Sequence, residues 1–234
     1  MVEGLLLGID TCGPSGSVAL ARLTAGRVDI LDQKELAGRS YSATLVAAVG
    51  ELLAAAGATV RELGAMVVVS GPGSFTGVRV GLSTAKGLAE AAQTPVVAVS
   101  RLEVLAAKAG LASAAFDAHR HEVFLRVAAP GLEVRELLAG EAEVAAIREK
   151  LRLEQVPVPL RIAVCDEAAQ ALLKNIWNEA ELVTIAAPTA ADAIELCVPR
   201  VARGEFADVA LLDGHYLRRS DAEIFGNPAG AQRG

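Results

Sequence analysis

The spacing of apolar positions changes repeatedly along this chain. Residues 5–10, 16–23 and 27–35 are short, largely apolar runs separated by the turns Cys12-Gly13-Pro14-Ser15-Gly16 and Thr24-Ala25-Gly26, and they predict a three-strand meander. The period then lengthens. Leu45, Val49, Leu52 and Ala56 recur at helical spacing over 42–56, with Ser40 or Ser42 as N-cap and Gly57 as the stop. Residues 66–69 form a continuous apolar run suited to a strand buried on both faces, and Gly71-Pro72-Gly73-Ser74 breaks it before a helix over 76–92. Another buried strand is expected at 96–99, and Ser100 with Glu103 is a capping-box signature for a helix running to 109. The second half starts again with strands at 113–116, 122–128 and 132–138. It continues with a helix at 141–151, a strand at 161–165, a helix at 167–177, a strand at 182–185 and a helix at 189–203 opened by Thr189 and Asp192.

Two successive βββαβα units predict an α/β chain with a duplicated fold, each sheet joining an antiparallel meander to parallel crossover strands. That order of elements belongs to the actin-like (ASKHA, ribonuclease H-like) superfamily. The expected division is an N-terminal lobe at 1–105, a C-terminal lobe at 106–220, and a flexible Gly- and Asn-Pro-bearing tail at 221–234.

Composition narrows the function. With 53% hydrophobic residues the chain can bury a core, yet its apolar runs fall far short of the roughly 20 residues a membrane span requires. An acid, Glu3, stands where a signal peptide would carry positive charge, so export is not expected. Cys12, Cys165 and Cys197 are dispersed and lack a Cys-x-x-Cys spacing, which argues against disulfides or structural zinc and for reduced, cytoplasmic thiols. A net charge of -6 disfavours an independent nucleic-acid binder, whose affinity would come from Lys and Arg neutralising phosphates.

Candidate chemistry gathers at two turns. Asp10 and Thr11 end the first strand before a Gly-rich turn, where an Asp can hold hydrated Mg²⁺ and backbone N–H groups can face phosphate; alternatively both simply cap the strand end. The loop Gly71-Pro72-Gly73-Ser74-Phe75-Thr76-Gly77 leads into a helix start that can accept an anion, with Gly71, Gly73, Ser74, Thr76 and Gly77 as its weak phosphate-loop candidates. It lacks the Gly-Lys-Ser/Thr of a Walker loop. Gly77, Gly81 and Ala85 would form a groove of small residues, either packing the helix on its own sheet or meeting another subunit. Asp117, His119, His121 and Glu122 tempt a metal reading, but a polar hairpin turn accounts for them; His215 reads as packed or surface, and no nucleophile elbow is present. No catalytic or metal residue is assigned.

Gly8-Ile9-Asp10-Thr11, the block from Gly71 to Gly81, Phe116-Asp117-Ala118, Glu122-Val123-Phe124 and the closing Gly214-His215-Tyr216-Leu217-Arg218-Arg219 together resemble the TsaB (YeaZ) family. The resemblance implies a non-catalytic, actin-like subunit that supports a TsaD-like catalytic paralogue in making threonylcarbamoyladenosine in tRNA. It further implies engagement of a TsaE-like ATPase, homodimerisation when alone, contact with tRNA only through the complex, and ATP and metal on the partner subunits rather than here. The catalytic paralogue binds metal through a helical His-x-x-x-His pair, whereas the helix starting near Ser40 has no His. Tyr41 stands where relatives often carry His. Asp166-Glu167-Ala168-Ala169 lacks the superfamily's Gly-rich adenosine turn, and its acids would repel phosphate. In family terms the first two helices make the subunit contact, for which Leu45, Val49, Leu52, Val80, Gly81, Thr84, Ala85 and Leu88 are the candidates. Gly81→Leu is accordingly expected to abolish pairing and leave the monomer folded. The competing reading is a stand-alone ATP-dependent small-molecule kinase or ATPase of the same fold.

Overall fold

The computed structural model describes residues 3–38, 40–128, 133–156 and 158–218; the expected tail at 221–234 lies outside them. β1 (Gly4–Asp10), β2 (Ser15–Thr24) and β3 (Arg27–Ala37) form the first meander, followed by α1 (Tyr41–Ala55), β4 (Leu63–Val69), α2 (Phe75–Ala92), β5 (Val96–Val99) and α3 (Arg101–Lys108). The pattern repeats with β6 (Ala114–Asp117), β7 (Glu122–Val127), β8 (Arg135–Gly140), α4 (Glu141–Leu153), β9 (Arg161–Val164), α5 (Glu167–Ile176), β10 (Glu181–Thr184) and α6 (Ala190–Arg203). The sheet orders are β3-β2-β1-β4-β5 and β10-β9-β6-β7-β8. Read from its meander edge, the second sheet repeats the permutation of the first, which is the duplicated actin-like arrangement. The one added element is a short 3₁₀ turn, Val60–Glu62, opened by Thr59 and Glu62, whose polar side chains carry no periodicity to announce it.

β1 is a central strand covered on both faces, and its sequence reflects this. Leu5, Leu6, Leu7 and Ile9 are all buried. Successive residues point to opposite faces. A Cβ on Gly8 would meet the Ala190 carbonyl at 2.7 Å, so this position faces α6, whereas Ile9 faces α2 around Gly81. α1 and α2 therefore cover one face of the first sheet and α6 covers the other.

The closing helices cross over between the units. α6, expected with the 106–220 lobe, places Ala193, Ile194, Cys197 and Val201 in the core of the first sheet. α3, which a boundary at 105 would cut, packs Leu102, Leu105 and Ala106 with Phe116, Phe124 and Ala163 of the second sheet. Periodicity identifies an apolar stripe but not the sheet that covers it, so the repeat count does not show that α6 joins the first core or that α3, whose Val104 also lies in the first core, bridges the two. The second sheet has its own core around Trp177, Ile162, Val164, Leu125 and Leu173. Among the described residues no helix is long and apolar enough to cross a membrane.

Candidate functional site

The two turns singled out in the sequence meet, and they engage each other. At the end of β1 the Asp10 side chain accepts a hydrogen bond from the Cys12 N–H (2.8 Å). Thr11 Oγ1 donates to the Gly77 carbonyl (2.6 Å), and the Cys12 carbonyl accepts from the Ser74 N–H (2.8 Å). At the start of α2, Ser74 Oγ accepts from the Gly77 N–H (3.3 Å) and the Ser74 carbonyl from the Val78 N–H. Of the donors expected to face an anion, the Ser74 and Gly77 N–H groups are thus used within the chain. A Cβ on Gly77 would strike the Thr11 carbonyl, and one on Gly73, where φ is +157°, would strike Cys12. The Gly71–Pro72 peptide is cis. Gly73 and Gly77 thus let the loop lie on the first hairpin, Gly71 lets it approach the His215 carbonyl, and Thr76 is exposed beside it.

The second oxygen of Asp10 faces Arg101 Nε at 3.4 Å, and both side chains are buried, at 1% and 4% exposure. The guanidinium lies against Gly13 of the hairpin turn and 5.2 Å from the ring centre of Phe116, so it spans from the first lobe to the second. Burial is the largest single influence and disfavours its charge, but Asp10 together with Cys12 and Cys165 holds the Arg101 pKa above its ordinary value. Tyr41 closes the other side by donating to the Gly13 carbonyl (2.8 Å); burial, assisted by Asp10, pushes its hydroxyl up to about 12. Burial likewise raises the Cys12 thiol well above the ordinary range. A permanent cation of the chain therefore faces the Asp10 oxygen that the Cys12 N–H does not take. Arg101 was missed by the sequence reading, although a cation at the first position of a helix, against the dipole, is a usable signal.

The second hairpin repeats the device. Asp117 accepts from the His119 N–H (2.8 Å) through one oxygen, and His119 Nδ1 lies 2.8 Å from the other. Asp166 caps α5 by accepting from the Ala169 N–H (2.7 Å) and also receives the Asp117 N–H (2.8 Å), so a carboxylate already takes the anion position at that helix start. His119, Arg120 and His121 all have positive φ, near 60°. Among the described residues no group of three His, Cys, Asp or Glu side chains could hold a metal ion.

The interface candidates divide. Leu45, Val49 and Leu52 are 1 to 2% exposed and pack α1 on its own sheet, so they hold the fold rather than a partner. The groove of Gly77, Gly81 and Ala85 is filled by Thr11 of the same chain. A Cβ on Gly81 would collide with Thr11 Oγ1, so Gly81→Leu disrupts the monomer itself. Val80, Thr84 and Leu88 are half-buried. The outward side of α1 carries Ala43, Val46, Ala47, Gly50 and Ala54, all exposed, with Val46 at 62%. That face is nearly free of charge and lined by small residues, and the sequence reading had placed the stripe on the opposite side.

Comparison with known proteins agrees with this geometry. The family model described as TsaD, tRNA N6-adenosine threonylcarbamoyltransferase, matches residues 30–199. The chain is 36% identical over 147 residues to the tRNA threonylcarbamoyladenosine biosynthesis protein TsaB of Haemophilus influenzae, covering 63% of this chain and 56% of that protein. It is 37% identical over 123 residues to the protein of the same name from Bacillus subtilis, covering 51% and 52%. The chain thus spans about half the length of the curated relatives it matches. A crystal structure of an uncharacterized protein with similarity to peptidase YEAZ from Pseudomonas aeruginosa superposes with a TM-score of 0.68 at 27% identity, covering 92% of this chain and all of that one.

Proposed function

The chain belongs to the TsaB (YeaZ) branch of the TsaD family, and from that premise we propose that it is a non-catalytic subunit of the assembly that synthesises threonylcarbamoyladenosine in tRNA. The observation that carries this reading is Asp10: one oxygen accepts the Cys12 N–H and the other faces buried Arg101, so the carboxylate best placed for metal and nucleotide chemistry is engaged by the chain's own groups. ATP and metal then belong to partner subunits. Docking of a TsaD-like catalytic subunit is assigned to the outer face of α1, Ala43, Val46, Ala47 and Gly50, together with half-exposed Val80, Thr84 and Leu88 of α2. Small side chains allow close helix approach, and burying an uncharged face carries no ion-desolvation cost. The same face serves self-association when the partner is absent. A TsaE-like ATPase completes the assembly, which works in the cytoplasm and brings tRNA to the catalytic subunit.

The test is threonylcarbamoyl transfer to tRNA in a reconstituted mixture of the matching partners, ATP and donor, with this chain omitted and then restored. Loss and recovery of the modified nucleoside is the expected result. Full modification without the chain would overturn the assignment, and micromolar ATP binding by the isolated chain would move the stand-alone kinase reading to the front.

A further inference from the structure

A groove of about 410 Å³ beside Phe206 is shallow, and its charged residues, Arg200 and Glu205, are already paired with Glu103 and Arg203, but a larger one, about 670 Å³, runs between α2 and the segment 212–218. Its floor is apolar, with Phe75, Leu82, Leu212 and Leu217 along it, and Tyr216 packs its ring 5.1 Å from that of Phe75. Its rim is cationic. The Arg79 guanidinium stacks 3.7 Å from the centre of the Phe75 ring, which fixes its plane while leaving the residue exposed, and it has no acidic partner among the described residues. Lys86 stands two turns along the same flank, about 10 Å away at the helical rise, and among the described residues its one hydrogen-bond partner is the Ala210 carbonyl at 3.5 Å. Arg218, at the far end, is already paired with Glu122 at 2.5 Å, and Asp213 is the one acid in the lining. Two cations with no carboxylate partner on a chain of net charge -6 form a local positive site that fits an anionic group.

We propose that this groove receives an acidic protein segment carrying an apolar anchor. The anchor would displace water from the aromatic and leucine floor, and flanking carboxylates would pair with Arg79 and Lys86, the former through a guanidinium already held flat for two parallel hydrogen bonds. The floor favours protein over nucleic acid, because two free cations supply little of the phosphate neutralisation on which nucleic-acid affinity depends. Arg79 and Ser83 lie roughly 100° round α2 from Val80 and Thr84, so the groove stays open when that other face is covered.

Random dodecapeptides displayed on phage, selected on the full chain and counter-selected on R79A/K86A, test this. Expected are enriched sequences with Asp or Glu flanking a Leu, Ile or Phe, and at least tenfold weaker binding of the synthetic peptide by R79A/K86A, whose circular dichroism and Tm match wild type. No enrichment, enrichment of basic or neutral sequences, or binding indifferent to R79A/K86A overturns the proposal. So does binding of a fluorescent single-stranded oligouridylate that R79A/K86A abolishes and salt weakens steeply, which would make the groove a nucleic-acid site.

Discussion

Asp10 and Arg101 are separated by 91 positions in the chain and become mutual partners only when both are buried. Removing one member of a buried ion pair leaves an uncompensated charge, at a typical cost of about 3–5 kcal/mol, whereas replacing both by uncharged groups of similar shape is often far less costly. Arg101→Ala is therefore expected to lose stability on that scale in urea unfolding. Asp10→Asn combined with Arg101→Met, which keeps the acceptor for the Cys12 N–H and most of the side-chain volume, should lose clearly less than Arg101→Ala alone. A double variant as damaged as the single one would mean that the pair's charge complementarity is not what holds the site. Asp10 was legible in the sequence because a carboxylate at the end of a buried strand before a Gly-rich turn has a local signature. Its occupant was not, because a contact across the whole first lobe leaves no trace in local spacing.

At the scale of elements, α1 separates fold from partner within two consecutive residues. Leu45 is 1% exposed against the sheet and Val46 is 62% exposed on the outer face. Leu45→Ala should cost about 2–5 kcal/mol, the usual range for an aliphatic core truncation, and should weaken pairing only through that loss. Val46→Glu should leave the unfolding midpoint within about 0.5 kcal/mol of wild type, since it touches no core contact, and should abolish co-elution with a TsaD-like partner by placing a charge in an apolar contact. Unchanged co-elution of the Val46 variant would remove this face as the docking surface. The strands and helices were legible almost throughout, because burial on one or both faces writes a period into the residues. Which face of α1 looks outward was not: Ala and Val populate both sides of this helix, so a stripe of larger residues was read as a partner surface when it is the stripe that holds the sheet.

Across the whole molecule the lobes are joined by the exchange of closing helices and by a polar clamp at Glu136. This β8 carboxylate accepts from Ser100 Oγ (2.6 Å) and Arg126 (2.7 Å) and meets His215 Nε2 at 2.8 Å, while the His215 N–H reaches the Ser70 carbonyl of the first lobe (2.7 Å). Burial alone would raise the Glu136 pKa, but these hydrogen bonds with His215, Ser100 and Arg126 bring it below the ordinary value. A carboxylate with a depressed folded pKa contributes stability that is fully present above its unfolded pKa, about 4.3, and is lost as pH falls through the folded one. Glu136→Gln should accordingly lower stability at pH 7 by about 1–3 kcal/mol, and the gap to wild type should close as pH drops below about 4. A gap that stays constant with pH would assign the loss to packing rather than charge.

The helix exchange makes a stronger demand, because Ile194 comes from the second repeat yet is buried in the first core, while Trp177, the sole tryptophan, reports on the second. If the exchanged helices couple the lobes, Ile194→Ala should cost about 2–5 kcal/mol and shift the Trp177 fluorescence transition together with the circular dichroism transition, as a single cooperative unit requires. If the lobes are independent, the fluorescence midpoint will stay in place while the dichroism curve splits. The first outcome would explain why a boundary drawn at the point where the element order repeats divides the sequence into two units but does not divide the molecule.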